Sequence, residues 1–145
     1  MSIPPASAKP LLTSACVALS VALGACGQAV STGSFSGEQR EVAQEISNLQ
    51  SHVTAAEHAK ICSNDLASQV VTRLQAAPGG CKAVIKEQLA EVDSSTLSIN
   101  SIQLSGAGGQ RSAVASVKSV YGGKTRTSTL LLVKQNGAWK VAGVS

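Results

Sequence analysis

The sequence predicts an α+β domain in which helices come first and an antiparallel sheet follows. Before Ser94, apolar residues recur every three or four positions, the spacing that gathers them on one face of a helix. After Ser94, Gly, Ser, Thr and Val dominate, and apolar residues alternate with polar ones as in half-buried strands. Helices followed by such a meander pack on one face of a curled four-stranded antiparallel sheet.

Polar side chains mark the predicted helix starts. Ser36 with Gln39, and Thr54 with Glu57, both fit the capping box, in which two side chains bond the free N–H groups of a first turn. Asp65, at the end of a Ser-Asn-Asp run, is predicted to cap the next helix in the same way. The last helix is predicted from an apolar stripe that comprises Cys81, Ile85, Leu89 and Val92.

Four strands are predicted, with glycine-rich turns between them. Their bounds are 96–105, 111–121, 125–135 and 138–144. Asn136-Gly137, between the last two, is the strongest short hairpin signal in the chain. The alternation slips between Ile99 and Ile102, which predicts a β-bulge in the first strand.

The N-terminal residues read as an export signal. Lys9 is the only charge before an apolar run over residues 11–23, which is shorter than the roughly 20 residues that a membrane-spanning helix needs. The run ends in Leu23-Gly24-Ala25-Cys26, which resembles the lipobox of bacterial lipoprotein signal peptides. The resemblance implies cleavage before Cys26 and a thioether-linked diacylglycerol on its sulfur.

This interpretation divides the chain into three parts. Residues 1–25 are the signal peptide, residues 26–37 are the lipidated cysteine with a Gly/Ser-rich flexible tether, and residues 38–145 are the folded domain. A single acyl chain binds a membrane only marginally, whereas two anchor it stably. The predicted location is therefore the extracytoplasmic face of the cell membrane, held by lipid.

Two cysteines remain for the mature domain, because Cys16 leaves with the signal peptide and Cys26 carries lipid. In an exported domain, Cys62 and Cys81 most simply form one disulfide. Two alternatives use the same residues. His58 and Cys62 would share a helix face and could bind zinc with Cys81 as a third ligand, or a Cys–His pair could act as a nucleophile. No cofactor and no metal are predicted.

The order of helices and then a meander, closed by the hairpin NGAWKV at residues 136–141, resembles the NTF2-like (cystatin-like α+β) superfamily. It is similar in particular to small bacterial lipoproteins with such a domain, in which a cysteine pair in the helical half is common. The resemblance covers residues 38–145. It implies a cone whose open end can hold a small ligand.

Enzymes of that superfamily place Asp, His or Tyr inside the cone, and the corresponding residue types here are Asp65, Asp93, His52, His58 and Tyr121. An Asp base and a Tyr donor would suit proton abstraction beside a carbonyl. Both aspartates, however, fall at predicted helix ends, and both histidines fall on a polar helix expected to be exposed. The prediction is a non-enzymatic binding module, with a carrier or sensor of a small apolar ligand as the alternative.

Charge is distributed unevenly between the two halves. Residues 27–93 contain five basic and eight acidic residues, whereas residues 94–145 contain six basic residues and no acidic one. The six are Arg111, Lys118, Lys124, Arg126, Lys134 and Lys140. They could contact anionic lipid head groups or an acidic partner of the cell envelope, although alternate strand residues face opposite ways. Export and the single Phe, Trp and Tyr argue against nucleic acid as a partner.

Overall fold

The computed structural model describes residues 30–90, 96–121 and 123–145, and they form the predicted α+β fold. The helices are α1 (Gly37–Thr54), α2 (His58–Lys60), α3 (Ser68–Gln75) and α4 (Gly80–Gln88), with a π-helical segment at Ile61–Asp65 between α2 and α3. The strands are β1 (Thr96–Ser105), β2 (Ser112–Tyr121), β3 (Lys124–Gln135) and β4 (Ala138–Val144), and a short 3₁₀ turn at Gly108–Gln110 precedes β2.

The four strands form one antiparallel sheet in chain order, which confirms the predicted meander. The β3–β4 turn places Asn136 at φ +51° and Gly137 at φ +80°, the left-handed conformation of a two-residue hairpin turn. The predicted bulge in β1 is confirmed, since the register with β2 shifts between Ile99 and Ser101. A second shift, between Leu131 and Leu132, interrupts the pairing of β3 with β4.

The main core lies between α1 and the inner face of the sheet. Alternate residues of β2, namely Ala113, Ala115 and Val117, are buried and point to this face. From the helix side, Val42 and Ile46 are completely buried against them. Trp139 of β4 is 3% exposed and belongs to the same cluster. The inner face of the predicted cone is thus occupied by apolar side chains.

A second, smaller core holds the helical half together. It consists of Ile61, Cys81 and Ile85, with partly buried Leu74 and Leu89 around it. The predicted disulfide is present: Cys62 and Cys81 are joined, with their Cα atoms 6.2 Å apart. The bond fastens the π-helical segment to the first turn of α4.

The helical half attaches to β4, one of the two edge strands of the sheet. Leu66 forms a single parallel bridge with Val141, and the Ala67 N–H donates to the Val141 carbonyl at 2.8 Å. Leu49 of α1 packs against both cores. These contacts make α1 and β4 the elements that connect the two halves.

The predicted capping boxes are wrong. Ser36 does precede α1, but its side chain makes no cap hydrogen bond, and Gln39 donates instead to the Ile102 carbonyl of β1 at 2.9 Å. Thr54 is the last residue of α1 and donates to the Gln50 carbonyl at 2.9 Å. In both places the side chain bonds a carbonyl rather than the free N–H groups of a following turn.

The predicted flexible tether also needs correction where the structure describes it. Val30 is 4% exposed, and Phe35 packs against the main core. Burying these two apolar side chains holds the chain just before α1 against the domain. Residues 30–37 are therefore part of the folded unit, and the folded unit begins earlier than residue 38.

Candidate functional site

The six basic residues of the sheet half do not form one surface, because two of them pair with acids of α1. Arg111 forms an ion pair with Glu38. The Lys134 Nζ lies 3.1 Å from Glu38 Oε1 and 3.0 Å from Glu41 Oε2. Acidic residues of the helical half thus neutralise part of the charge of the sheet half.

Trp139 extends this charged network into the hairpin. Its indole Nε1 donates to Glu41 Oε2 at 3.3 Å, and the Lys134 ammonium lies 5.6 Å from the ring centre. Hydrogen bonds from Lys134 lower the pKa of Glu41, and the bonds to Glu41 and then Glu38 raise the pKa of Lys134. The same contacts keep Lys134 away from any external anion.

A third basic residue, Lys140, is also engaged. Its Nζ donates to the backbone carbonyl of Asn64, in the π-helical segment. This contact lies beside the Leu66–Val141 bridge and reinforces the attachment of the helical half to β4. In the described structure, Lys140 joins β4 to the π-helical segment.

The remaining three, Lys118, Lys124 and Arg126, lie on the β2–β3 hairpin and are exposed. None of them forms an ion pair with an acid in the described ranges. Arg126 stands opposite Ser119, whereas Lys118 stands opposite Thr127, so neighbouring positions point to opposite faces. The end of this hairpin therefore presents positive charge on both faces.

The structure brings together two of the five candidate catalytic residues. His52 Nδ1 lies 2.8 Å from Asp65 Oδ2, and Asp65 is 1% exposed. The prediction that Asp65 caps a helix is wrong, because Ala67 precedes α3 and the Asp65 carboxylate bonds the imidazole instead. The prediction that His52 is exposed is also wrong, since only 20% of its side chain is accessible.

Burial has the largest effect on the pKa of Asp65 in this pair. Desolvation raises the pKa of Asp65, and the hydrogen bond from His52 opposes that shift. On the other side of the ring, Nε2 lies 3.9 Å from Glu57 Oε2. The ring is thus held between two carboxyl groups, one buried and one near the surface.

The other candidates are not gathered at this place. His58 begins α2, and Tyr121 ends β2. Asp93 and the predicted lipidation site Cys26 lie outside the described residues. The disulfide occupies both sulfurs that a zinc site or a Cys–His nucleophile would require. In the described ranges, no group of three His, Cys, Asp or Glu side chains is arranged to hold a metal ion.

A groove of about 400 Å³ lies between the outward side of α1 and the β3–β4 hairpin. Glu41 and Glu45, one turn apart on α1, line it, and Gly137 and Trp139 contribute from the hairpin. Two further pockets, of about 470 and about 300 Å³, lie beside α3 and the same hairpin.

Glu45 is the residue of this groove that sequence analysis missed. Desolvation, followed by the charge of Asp65, raises its pKa to about 7, while Lys140 and a hydrogen bond from Asn48 oppose the shift. Its Oε1 is buried and has no hydrogen-bond partner among the described atoms. The i, i+3, i+7 spacing of Glu38, Glu41 and Glu45 was the available signal, because it places three carboxyl groups along one side of α1.

Comparison with known proteins yields one similarity. No protein-family model matches the chain, and no curated protein matches it. The solved structure of a designed NTF2-like protein, Rd1NTF2_05 with five substitutions, is similar with a TM-score of 0.49. The match has 15% identity and covers 75% of this chain and 98% of that one. At this level the likeness concerns the fold alone, and no function follows from it.

Within the ranges that the structure describes, no helix has both the length and the apolar character needed to cross a membrane.

Proposed function

We propose that this protein is a lipid-anchored, extracytoplasmic binding module of the cell envelope and not an enzyme. The observation that carries the proposal is the sequence Leu23-Gly24-Ala25-Cys26 at the end of a short apolar run. Two acyl chains on Cys26 would hold the domain at the membrane surface. The Cys62–Cys81 disulfide supports this placement, because such bonds persist in oxidising compartments.

The anchor would hold the domain close to the lipid head groups. Four peptide units separate Cys26 from Val30, whose side chain is buried in the domain. Fully extended, this stretch reaches about 14 Å. The folded unit would therefore stay within contact distance of the membrane instead of moving on a long leash.

The partner that best suits this position is an anionic membrane surface, contacted through Lys118, Lys124 and Arg126. These are the basic residues of the sheet half whose charged groups form no ion pair or hydrogen bond among the described contacts. Each such residue near an anionic leaflet contributes about 1 kcal/mol of attraction. Arg111, Lys134 and Lys140, which were predicted with them, take no part because their charged groups are engaged within the domain.

Transport or sensing of a small apolar ligand is the second candidate function. It rests on the resemblance to cone-shaped domains and requires an apolar cavity. The inner face of the sheet is packed with α1 side chains, Val42 and Ile46 among them. This packing favours the interaction module over the carrier.

Metabolic labelling tests the anchor. Cells are fed a clickable fatty acid and express the wild type, Cys26→Ser or Cys16→Ser. Cys16 is the matched control because it lies in the same predicted signal segment. We expect label and signal cleavage in the wild type and in Cys16→Ser, and neither in Cys26→Ser. Label that persists in Cys26→Ser would contradict the proposal.

Hydrogen exchange tests the membrane contact. The lipidated protein is reconstituted in vesicles rich in phosphatidylglycerol or made of phosphatidylcholine alone. We expect the β2–β3 amides to exchange more slowly on the anionic vesicles, and the difference to vanish at high salt. Replacing Lys118, Lys124 and Arg126 together by Gln should remove the difference.

The matched control for this measurement replaces three exposed basic residues of the helical half, Arg73, Lys82 and Lys86, by Gln. It changes the net charge by the same amount and should preserve the slowing. Equal loss in both triple variants would mean that overall charge, and not this hairpin, makes the contact. Because every variant keeps Cys26, such a result would leave the anchor proposal standing.

A further inference from the structure

We propose that the groove between α1 and the β3–β4 hairpin binds an organic cation, an ammonium or guanidinium group, on the carboxylate of Glu45. This site is separate from the basic hairpin and from the predicted anchor. The groove has a volume of about 400 Å³, within the range of small-ligand sites.

The first support is the Oε1 oxygen of the Glu45 carboxyl group, which accepts no described hydrogen bond although Asn48 bonds the group. Glu45 lines the groove, and its Oε1 is buried with no hydrogen-bond partner among the described atoms. A buried acceptor without a partner is costly, and buried polar groups in native proteins are usually bonded. A ligand that donates a hydrogen bond and carries positive charge would satisfy this oxygen best, because charge-assisted bonds are the strong ones.

The second support is that the basic side chains near the groove bind groups other than Glu45. Lys134 pairs with Glu38 and Glu41, and Lys140 donates to a backbone carbonyl. Arg40, which also lines the groove, donates through Nε to the Phe35 carbonyl. None of the three forms a described ion pair with Glu45, so an external cation can serve as the complement of this carboxylate.

Other ligand classes fit the groove less well. Trp139 is 3% exposed, so its ring offers little surface for stacking a flat or apolar ligand. An anion would meet Glu41 and Glu45 on the same side of α1. The lining amides of Gln44 and Asn48 bond each other at 3.2 Å, and the Gln44 Oε1 adds one acceptor that a polar cation could use.

Binding should depend on pH in a defined direction. Glu45 has its pKa raised to about 7 by burial and by Asp65 of the π-helical segment. Lys140 of β4 and His52 of α1 act in the opposite sense. A cation needs the ionised carboxylate, so its affinity should increase as pH rises from 6 to 8, and the bound cation should lower the pKa of Glu45.

Ionisation of Glu45 should lower the stability of the fold, whereas it should raise the affinity for the cation. The pKa of this carboxyl is higher in the folded state than in the unfolded chain, so ionisation opposes folding. The loss of stability develops as pH rises from the unfolded value of about 4.5 to about 7. Glu45→Gln should therefore raise the melting temperature at pH 8 while it weakens cation binding, a combination typical of binding residues.

The experiment titrates the lipidated full-length protein in detergent micelles with n-butylammonium, with a tri-lysine peptide and with neutral n-butanol. Backbone amide NMR shifts at α1 and the β3–β4 hairpin report binding. We expect saturable shifts with at least one of the two cations, none with butanol, and at least tenfold weaker binding in Glu45→Gln. Glu87→Gln, an exposed acid on α4, is the charge-matched control and should bind as the wild type does.

Each outcome decides the proposal. Binding of both cations identifies a site for free amines, and binding of the peptide alone identifies a site for a basic side chain of a partner protein. Absence of saturable binding by either cation would overturn the proposal. Equal binding by Glu45→Gln and the wild type would do the same, and the melting temperature of Glu45→Gln shows that the variant is folded.

Discussion

The two halves of this domain are stabilised by different means. The sheet half is a continuous hydrogen-bonded meander with one buried apolar face, and its chain neighbours are its spatial neighbours. After the long helix α1, the helical half consists of short segments joined by a disulfide, a small core and a buried His52–Asp65 pair. Repeated backbone pairing therefore maintains the sheet, whereas a few specific side-chain contacts join the helices. Removing single contacts should affect the halves unequally.

The largest effect is expected from the disulfide. Replacing Cys62 and Cys81 together by Ala should lower the free energy of unfolding by about 3 kcal/mol, because the loop is no longer closed in the unfolded chain. Chemical denaturation measures the loss, and native-state hydrogen exchange locates it. Amides of α3 and α4 should lose more protection than those of β2 and β3. Equal loss in both halves would contradict the comparison.

A smaller effect is expected from the buried pair. His52→Ala leaves the Asp65 carboxylate, which is 1% exposed, without its ring partner, and should cost about 2 kcal/mol. His58→Ala is the matched control, because the His58 side chain has no hydrogen bond or ion pair among the described contacts, and should have little effect. Thermal denaturation of both variants measures the difference. Similar melting temperatures would show that the pair does not stabilise the helical half.

The smallest effect is expected in the sheet half. Gly137 has φ +80° and no atom within 4 Å of an added Cβ, so Gly137→Ala should cost about 1 kcal/mol through backbone conformation alone. Gly109→Ala, where φ is not in the left-handed region and space is equally open, should be close to neutral. Urea denaturation compares the two variants. A neutral Gly137→Ala would mean that the hairpin adopts another turn.

The structure shows how the unequal charges of the two halves are used. Glu38 and Glu41 of α1 pair with Arg111 and Lys134 across the layer between α1 and the sheet, so part of the asymmetry is attraction between the halves. Within the sheet half, Lys118, Lys124 and Arg126 of the β2–β3 hairpin are the basic residues whose charged groups form no ion pair or hydrogen bond among the described contacts. The sequence predicted six possible contact residues, and the fold separates them into three that hold the domain together and three that face outward.

The sequence by itself determined the sheet. The observed bounds of β1 and β4 are those predicted, and those of β2 and β3 differ by one residue. Alternation of burial, the Asn136-Gly137 turn and the bulge near Ile99 depend on residues close together in the chain, so local patterns are sufficient to predict them.

Tertiary structure alone decided how the polar side chains are used. Gln39 bonds a strand 63 residues away instead of its own helix, and Asp65 is buried against His52 instead of capping α3. The pKa of Glu45 is raised because the folded domain buries its carboxyl and, to a smaller extent, because Asp65 lies near it. A side chain with several possible hydrogen-bond partners takes the one that packing supplies, and packing depends on distant residues that no local pattern contains.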